Sequence, residues 1–138
     1  MSALTMLIGL VFMMAMQSAP IQTIATDTMS QIESPKQAVA RTPAEWTALW
    51  RQHAGETALP KVDFGSRTVV AVFLGTRASA GYAVEITGTR QEKGALIVQW
   101  RERRPEPGMV AAQVITSPAH IATIPKFAGE IRFEKVER

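Results

Sequence analysis

The chain has no cysteine and only two histidines among its 138 residues. Without cysteine there are no disulfides, no thiolate metal sites and no cysteine nucleophiles. His53 and His120 lie far apart in the sequence and without a local carboxylate cluster, so they do not predict a metal site. We therefore expect neither a metal nor a cofactor.

The motifs of common enzyme classes are also missing. Ser79 lies in Arg-Ala-Ser-Ala-Gly and not in the Gly-x-Ser-x-Gly of a nucleophile elbow. The segment 75–81 is flanked by glycines, but it lacks the Gly-x-x-x-x-Gly-Lys of a phosphate loop. These absences predict a protein that is not an enzyme.

No long run of charge of one sign is present. The chain carries 15 Lys and Arg against 12 Asp and Glu, a net charge of +3. Acids often stand beside bases, and the only local excess is Arg101, Arg103 and Arg104. Nucleic-acid binding needs a basic stripe that follows the phosphates. We therefore predict no nucleic-acid partner.

Charged side chains are absent until Asp27. An apolar run from Ala3 to Met16, broken by one threonine and one glycine, precedes small and polar residues, which is typical of a secretory signal. The run is shorter than the about 20 apolar residues of a membrane span. We predict a signal peptide at residues 1–25, cut after Ala25, and a periplasmic or extracellular location. The alternative is an uncleaved anchor, the one case in which membrane contact is expected.

After this segment we expect a polar leader at residues 26–40 and a single domain at residues 41–138. Pro35 allows the leader at most an edge strand, because proline cannot donate to a central ladder. The boundary between leader and domain falls just before the strongest helical signal of the chain.

That signal begins with Thr42-Pro43-Ala44-Glu45, a capping box with proline at the first helical position. The Glu45 carboxylate is expected to reach back to the N–H of Thr42. Apolar residues then recur at helical spacing on one face: Trp46, Leu49, Trp50 and His53. The pattern predicts an amphipathic helix that ends at Gly55 and buries its tryptophans against a sheet.

Short strands follow the helix. Thr68–Leu74 is apolar on both faces, which predicts a central strand, whereas Tyr82–Thr87 alternates between apolar and polar residues. We expect further strands at residues 95–101, 110–116, 120–124 and 131–136. The predicted fold class is α+β: a mostly antiparallel sheet, as a meander, roll or sandwich, with one N-terminal amphipathic helix packed on it.

In an antiparallel meander, alternate loops lie at the same end of the sheet. The loops 75–81 and 104–109 should therefore lie side by side, with the polar turn 88–94 at the other end. Loops on a rigid sheet are common recognition sites, and Tyr, Arg and Met are enriched at interface centres. The candidate binding residues are Arg77, Tyr82, Arg103, Arg104 and Met109. The alternative is ordinary turn chemistry with a solvated arginine cluster.

Several short motifs in order resemble one known family. They are Trp46-x-x-Leu49-Trp50, Pro60-x-Val62-Asp63-Phe64, Val70-Ala71-Val72-Phe73-Leu74-Gly75, Ala80-Gly81-Tyr82-x-Val84-x-Ile86, Arg104-Pro105-x-Pro107-Gly108 and Ser117-Pro118-x-His120-x-x-x-Ile124-Pro125. Between Arg41 and Phe133 the chain is similar to the PrcB C-terminal domain family, although Ala80 stands where the family more often has glycine. The resemblance implies a secreted, non-catalytic interaction module, an accessory or stabilising partner of a bacterial protease, and it supplies no catalytic residue.

A second resemblance concerns the same two loops. Gly81-Tyr82 and Arg104-Pro105 are similar to the loops of chagasin-like cysteine protease inhibitors, although no tryptophan follows Pro105. This resemblance implies a protease inhibitor as the alternative function. Both interpretations require a protein partner at the same end of the domain.

Overall fold

The structure, a computed structural model, describes residues 21–137. Seven strands and one helix form it. In chain order they are β1 (Gln22–Asp27), β2 (Lys36–Ala40), α1 (Pro43–Ala54), β3 (Arg67–Phe73), β4 (Ala83–Glu92), β5 (Ala95–Arg103), β6 (Ala119–Pro125) and β7 (Ile131–Lys135).

The strands form two sheets rather than one. The first sheet has the order β1-β6-β3-β2 and is antiparallel throughout. The second has the order β4-β5-β7, in which β4 and β5 are antiparallel and β5 and β7 are parallel. One face of the first sheet packs on the second sheet and its other face packs on α1, which gives three layers and two cores.

The central position of β3 explains why it is apolar on both faces. Val70 and Val72 point into the core between the sheets. Val69 and Phe73 point into the core beneath the helix. Side chains of a strand alternate between faces, so a strand with a core on each side is apolar at every position. The predicted central strand is thus confirmed.

The helix begins as its capping box predicts, with one difference. The Oγ1 of Thr42 accepts the N–H of Glu45 at 3.2 Å, and Gly55 ends the helix at a φ of 62°. The Glu45 carboxylate accepts the N–H of Arg41 at 2.8 Å, and not that of Thr42 as expected. The helix buries its tryptophan face against the first sheet. The indole N–H of Trp46 donates to the carbonyl of Pro60, in the connection between α1 and β3, at 2.8 Å.

The core between the two sheets is completed by side chains of the second sheet. Val84 and Ile86 of β4 and Val98 and Trp100 of β5 face the first sheet. The helix does not cover these residues, contrary to the single helix-covered sheet that the sequence suggests. The turn between β4 and β5 is also shorter than the predicted segment 88–94, because both strands continue to a two-residue turn at Lys93 and Gly94, each with positive φ.

Three other parts of the predicted fold are corrected. The helix is not N-terminal, since β1 and β2 precede it. The strands are not a simple meander, because β3 and β4 belong to different sheets and β7 pairs in parallel with β5. The segment 110–116 forms no strand; only Thr116 makes a single bridge, to Arg77.

The predicted signal segment lies outside the described residues as far as residue 20. The rest of it enters the fold, because Gln22 to Ala25 belong to β1, which pairs along β6. A cut after Ala25 would therefore remove most of one edge strand. Among residues 21–137, no helix has the length and hydropathy that are needed to cross a membrane.

Candidate functional site

Two loops meet at one end of the sandwich. The first, residues 74–82, crosses from β3 in one sheet to β4 in the other, and the second, residues 104–118, connects β5 to β6. Arg77 and Thr116 exchange two backbone hydrogen bonds, at 2.7 and 2.9 Å, and the N–H of Ala80 donates to the carbonyl of Ala112 at 3.0 Å. The predicted proximity of these loops is observed, although a crossover between sheets produces it and not a meander.

Among the glycines of the two loops, Gly81 lies closest to the opposite loop. Its φ is 95°, and a Cβ placed there would lie 2.8 Å from Cγ of Pro105. Only glycine meets both demands, because a side chain at this φ is strained and the contact is far below van der Waals distance. The Gly-Tyr and Arg-Pro motifs of the sequence are therefore two halves of one contact.

Replacing Gly81 by alanine is expected to destabilise the domain by about 1–3 kcal/mol, since the backbone strain and the clash with Pro105 add. Gly108 provides a matched control, because its φ is 84° and nothing lies within 4 Å of the position of its Cβ. Gly108→Ala should cost only the backbone term, about 1 kcal/mol. Urea unfolding of both variants measures the difference. Equal losses would contradict the loop contact.

Arg77 stabilises this end of the fold from within. Its Nε donates to Oε2 of Glu102 at 2.9 Å, and the other carboxylate oxygen lies 3.3 Å from Nζ of Lys135. The Glu102 side chain is only 6% exposed. Its hydrogen bond with Arg77 lowers the pKa of Glu102 despite the opposing effect of burial. Arg77 thus belongs to an ion-pair network within the domain that links the first loop to β5 and β7.

Tyr82 and Arg103 are only partly available to a partner. Tyr82 is half-buried, with the guanidinium of Arg77 5.8 Å from the centroid of its ring. Arg103 is exposed but lies 3.6 Å from the carboxylate of Glu85, which Arg101 contacts at 2.7 Å. The hydrogen bond from Arg101 lowers the pKa of Glu85. These two predicted site residues therefore lie beside the two loops, and their side chains already make contacts within the domain.

The second loop carries the largest exposed apolar side chains near this end. Met109 is 66% exposed, and the loop adds three apolar residues that the sequence placed in a strand: Val110 at 99%, Val114 at 49% and Ile115 at 65%. We call these four residues the apolar loop. Their run of small and branched residues resembles a strand in sequence, but the segment is not paired in a sheet and its apolar side chains are exposed. Arg104, just before them, is exposed and forms no ion pair within residues 21–137.

His53 brings together a hydroxyl and an acid. Its Nδ1 lies 2.7 Å from Oγ of Ser30, and its Nε2 lies 3.8 Å from Oδ2 of Asp27. Ser30 is 5% and His53 2% exposed, and the serine oxygen already accepts the N–H of Ile32. Burial lowers the pKa of His53, against the opposing effect of Asp27. A substrate could not reach this serine, so the arrangement suits a structural link between the N-terminal segment and α1.

His120 joins the two sheets. Its Nδ1 accepts the backbone N–H of Ile86 at 2.8 Å, and its Nε2 lies 2.9 Å from Oγ1 of Thr23. Because a backbone N–H can only donate, the imidazole is neutral with its proton on Nε2. Burial lowers the pKa of His120, while the charge of Glu85 opposes this. His120 lies in the strand that the sequence predicts at residues 120–124, here β6, and its side chain is buried.

No group of three or more metal-ligating side chains is found within residues 21–137. This end of the domain presents the apolar loop beside Arg104, which has no ion-pair partner within residues 21–137, and a network of ion pairs and backbone hydrogen bonds holds it in place.

Comparison with known protein families finds a match to part of the chain. The family model described as PrcB C-terminal matches residues 68–125, a narrower range than residues 41–133, over which the sequence motifs resemble it. The matched segment runs from β3 to the end of β6 and contains both loops. No curated protein and no solved structure matches the chain. The resemblance predicted from the motifs is thus confirmed: residues 68–125 match the model of the PrcB C-terminal family.

Proposed function

We propose that this protein is a non-catalytic interaction module, exported from the cytoplasm, that binds a protease through the apolar loop and Arg104. The observation that carries the proposal is the exposure of four large apolar side chains within seven residues, Met109 to Ile115. The match of residues 68–125 to the PrcB C-terminal family, which is associated with a protease complex, supports a protease as the partner.

Leaving the apolar loop in water has a free-energy cost that a partner could remove. Burying apolar surface contributes about 25 cal/mol per Å². Contiguous exposed apolar patches are uncommon on monomers and often mark interaction sites. Val110 is 99% exposed and makes almost no contact with its own chain. Its burial by a partner would therefore add to the binding free energy without breaking contacts within the domain.

The loop is also held in place before any partner arrives. Backbone hydrogen bonds from Ala80 and Arg77 fix residues 112 and 116, and the N–H of Met109 donates to the carbonyl of Glu106 at 3.1 Å. A preorganised loop loses less conformational entropy on binding than a disordered one. The bond network around Arg77 and Glu102 thus serves the binding surface by positioning it.

Arg104 adds a requirement for charge in the partner. Its guanidinium has five donors and no ion-pair partner within residues 21–137, so a carboxylate on the partner is its natural counterpart. We therefore propose a protease surface with an apolar depression and at least one acidic group on its rim.

Replacing Val110 by aspartate is expected to abolish capture of the partner, because a charge would be buried at the centre of the contact. Arg104→Ala should weaken capture about fivefold, in the range of a partly exposed charge pair. The measurement is affinity capture by the tagged protein from periplasmic and culture fractions, followed by mass spectrometry and titration of the captured protease.

Thr87→Asp is the control, since Thr87 is an exposed residue of β4, in the second sheet and outside both loops. It adds the same charge and should leave capture unchanged. Capture that survives Val110→Asp would refute the proposed surface. The inhibitor alternative predicts loss of papain activity in excess protein, whereas an accessory module should leave that activity intact.

A further inference from the structure

The main chain of the apolar loop is accessible over a short stretch. No hydrogen bond within residues 21–137 involves the backbone of Val110 or Ala111. Backbone hydrogen bonds of Met109 and Ala112, at 3.1 and 3.0 Å, hold the two sides of the stretch. Residues 109–115 form neither helix nor strand. The stretch is therefore a segment of accessible main chain between two fixed points.

The side chains of this stretch suit one class of protease. Val110 is 99% exposed, and two alanines follow it. A serine endopeptidase selects its substrate through the pocket for the residue before the scissile bond, and an elastase-type pocket is small and takes a small apolar side chain. No Lys, Arg, Asp or Glu stands between Glu106 and Lys126, so the loop offers only uncharged residues to such a pocket.

The connection between α1 and β3 is also exposed, but the helix holds it. The indole N–H of Trp50 donates to the carbonyl of Thr57 at 3.0 Å, and that of Trp46 donates to the carbonyl of Pro60 at 2.8 Å. These two carbonyls lie on either side of residues 58–59. A protease would have to pull this connection away from the tryptophans, whereas the apolar loop has no such side-chain anchor at Val110.

We propose that the peptide bond between Val110 and Ala111 is a cleavage site for a serine endopeptidase with a small apolar specificity pocket. Exposed loop tips with small residues are the preferred sites of proteolytic nicking. In the net reaction, water supplies a hydroxyl to the carbonyl carbon of Val110 and a proton to the nitrogen of Ala111, while the C–N bond between them breaks. The proposal rests on exposure and on the free backbone, and not on the proposed function.

The domain is expected to stay folded after the cut. β6 remains paired with β1 and β3, and β7 remains paired with β5, so both sheets hold the part of the chain that follows Val110. The cut would separate Met109 and Val110 from Val114 and Ile115, and it would therefore divide the surface proposed above for a protease partner. This last consequence rests on the proposed function, whereas the cleavage does not.

Digestion of the full chain with a small amount of pancreatic elastase tests the site. Mass spectrometry of early samples should find the first cut within residues 21–137 between Val110 and Ala111. The two pieces should separate on a denaturing gel but elute together in size-exclusion chromatography of the native sample. A first cut outside the apolar loop, for example after Ala58, would overturn the proposal.

Val110→Lys changes the specificity at this bond and leaves the backbone of the loop in place. Elastase should cut the bond at least about tenfold more slowly, because its pocket rejects a long charged side chain, and trypsin should now cut it. Arg90 is the matched control in the same molecule, since it is exposed but paired with Ile97 in the second sheet. Trypsin should cut after position 110 at least about tenfold faster than after Arg90, because a paired strand must first open.

Equal trypsin rates at position 110 and at Arg90 would refute the accessible backbone and with it the cleavage site. The outcome is separable from that of the proposed function. A loop that elastase cuts in a protein that captures no protease would leave the cleavage site in place and would count only against the proposed partner.

Discussion

Trp46→Ala is expected to lower the free energy of unfolding by about 3–5 kcal/mol, the largest effect of a single substitution that we foresee. Trp46 is 2% exposed and packs between α1 and the first sheet. Its removal leaves a cavity, and it also takes away the hydrogen bond to the carbonyl of Pro60. Urea unfolding followed by circular dichroism measures the loss.

Two further variants separate the causes of this loss. Trp46→Phe keeps most of the ring volume but not the N–H, so it should cost less than alanine yet more than zero. Leu59→Ala truncates an apolar side chain that is exposed, and it should change stability by less than about 1 kcal/mol. If Trp46→Ala cost no more than Leu59→Ala, the helix would not be packed as described.

Acidification is expected to destabilise the domain as the pH falls below about 6.5, the ordinary pKa of histidine. Burial lowers the pKa of His120 in the folded state, so the unfolded chain takes up a proton first. The contribution of neutral His120 is therefore fully present above pH 6.5 and is lost progressively below it. Protonation would also turn Nδ1 into a donor that faces the N–H of Ile86, which breaks the link between the sheets.

His120→Asn tests the origin of this pH dependence. Asparagine has a carbonyl oxygen that can accept the N–H of Ile86, and it does not titrate in this range. The variant should be less stable than the parent at pH 8 by about 1–3 kcal/mol but should lose less stability between pH 7 and pH 5. Chemical denaturation at each pH gives both quantities.

His53 contributes a second acid-sensitive group, because burial lowers its pKa as well. Asp27 opposes that shift, so the two histidines are best separated by measuring His53→Asn in parallel. A parent protein whose stability does not change between pH 7 and pH 5 would contradict both assignments.

The sequence predicts well where one short stretch decides the outcome. The capping box and the spacing of Trp46 and Trp50 are local, and α1 forms as they indicate. The run Thr68–Leu74 has apolar side chains on both faces, so it is expected to form a central strand, where both faces are buried. The closeness of Gly81 to Pro105 is also foreseen, because both are loop residues next to adjacent strands.

The sequence fails where distant partners decide. Nothing in the residues of β3 and β4 says that the chain changes sheets between them, since alternation alone does not identify the covering layer. The apolar loop has the composition of a strand, yet within residues 21–137 its segment has no neighbouring strand with which to pair.

The pairing of β1 with β6 has a consequence for the order of folding. Gln22 lies opposite Thr123, so the first strand of the described chain waits for one of the last before it has a neighbour. β3 also pairs with β6, which therefore completes the first sheet from both sides at once. Contacts so distant in sequence slow folding, because a long loop must close before they form. During synthesis, the first sheet would remain incomplete until β6 has emerged.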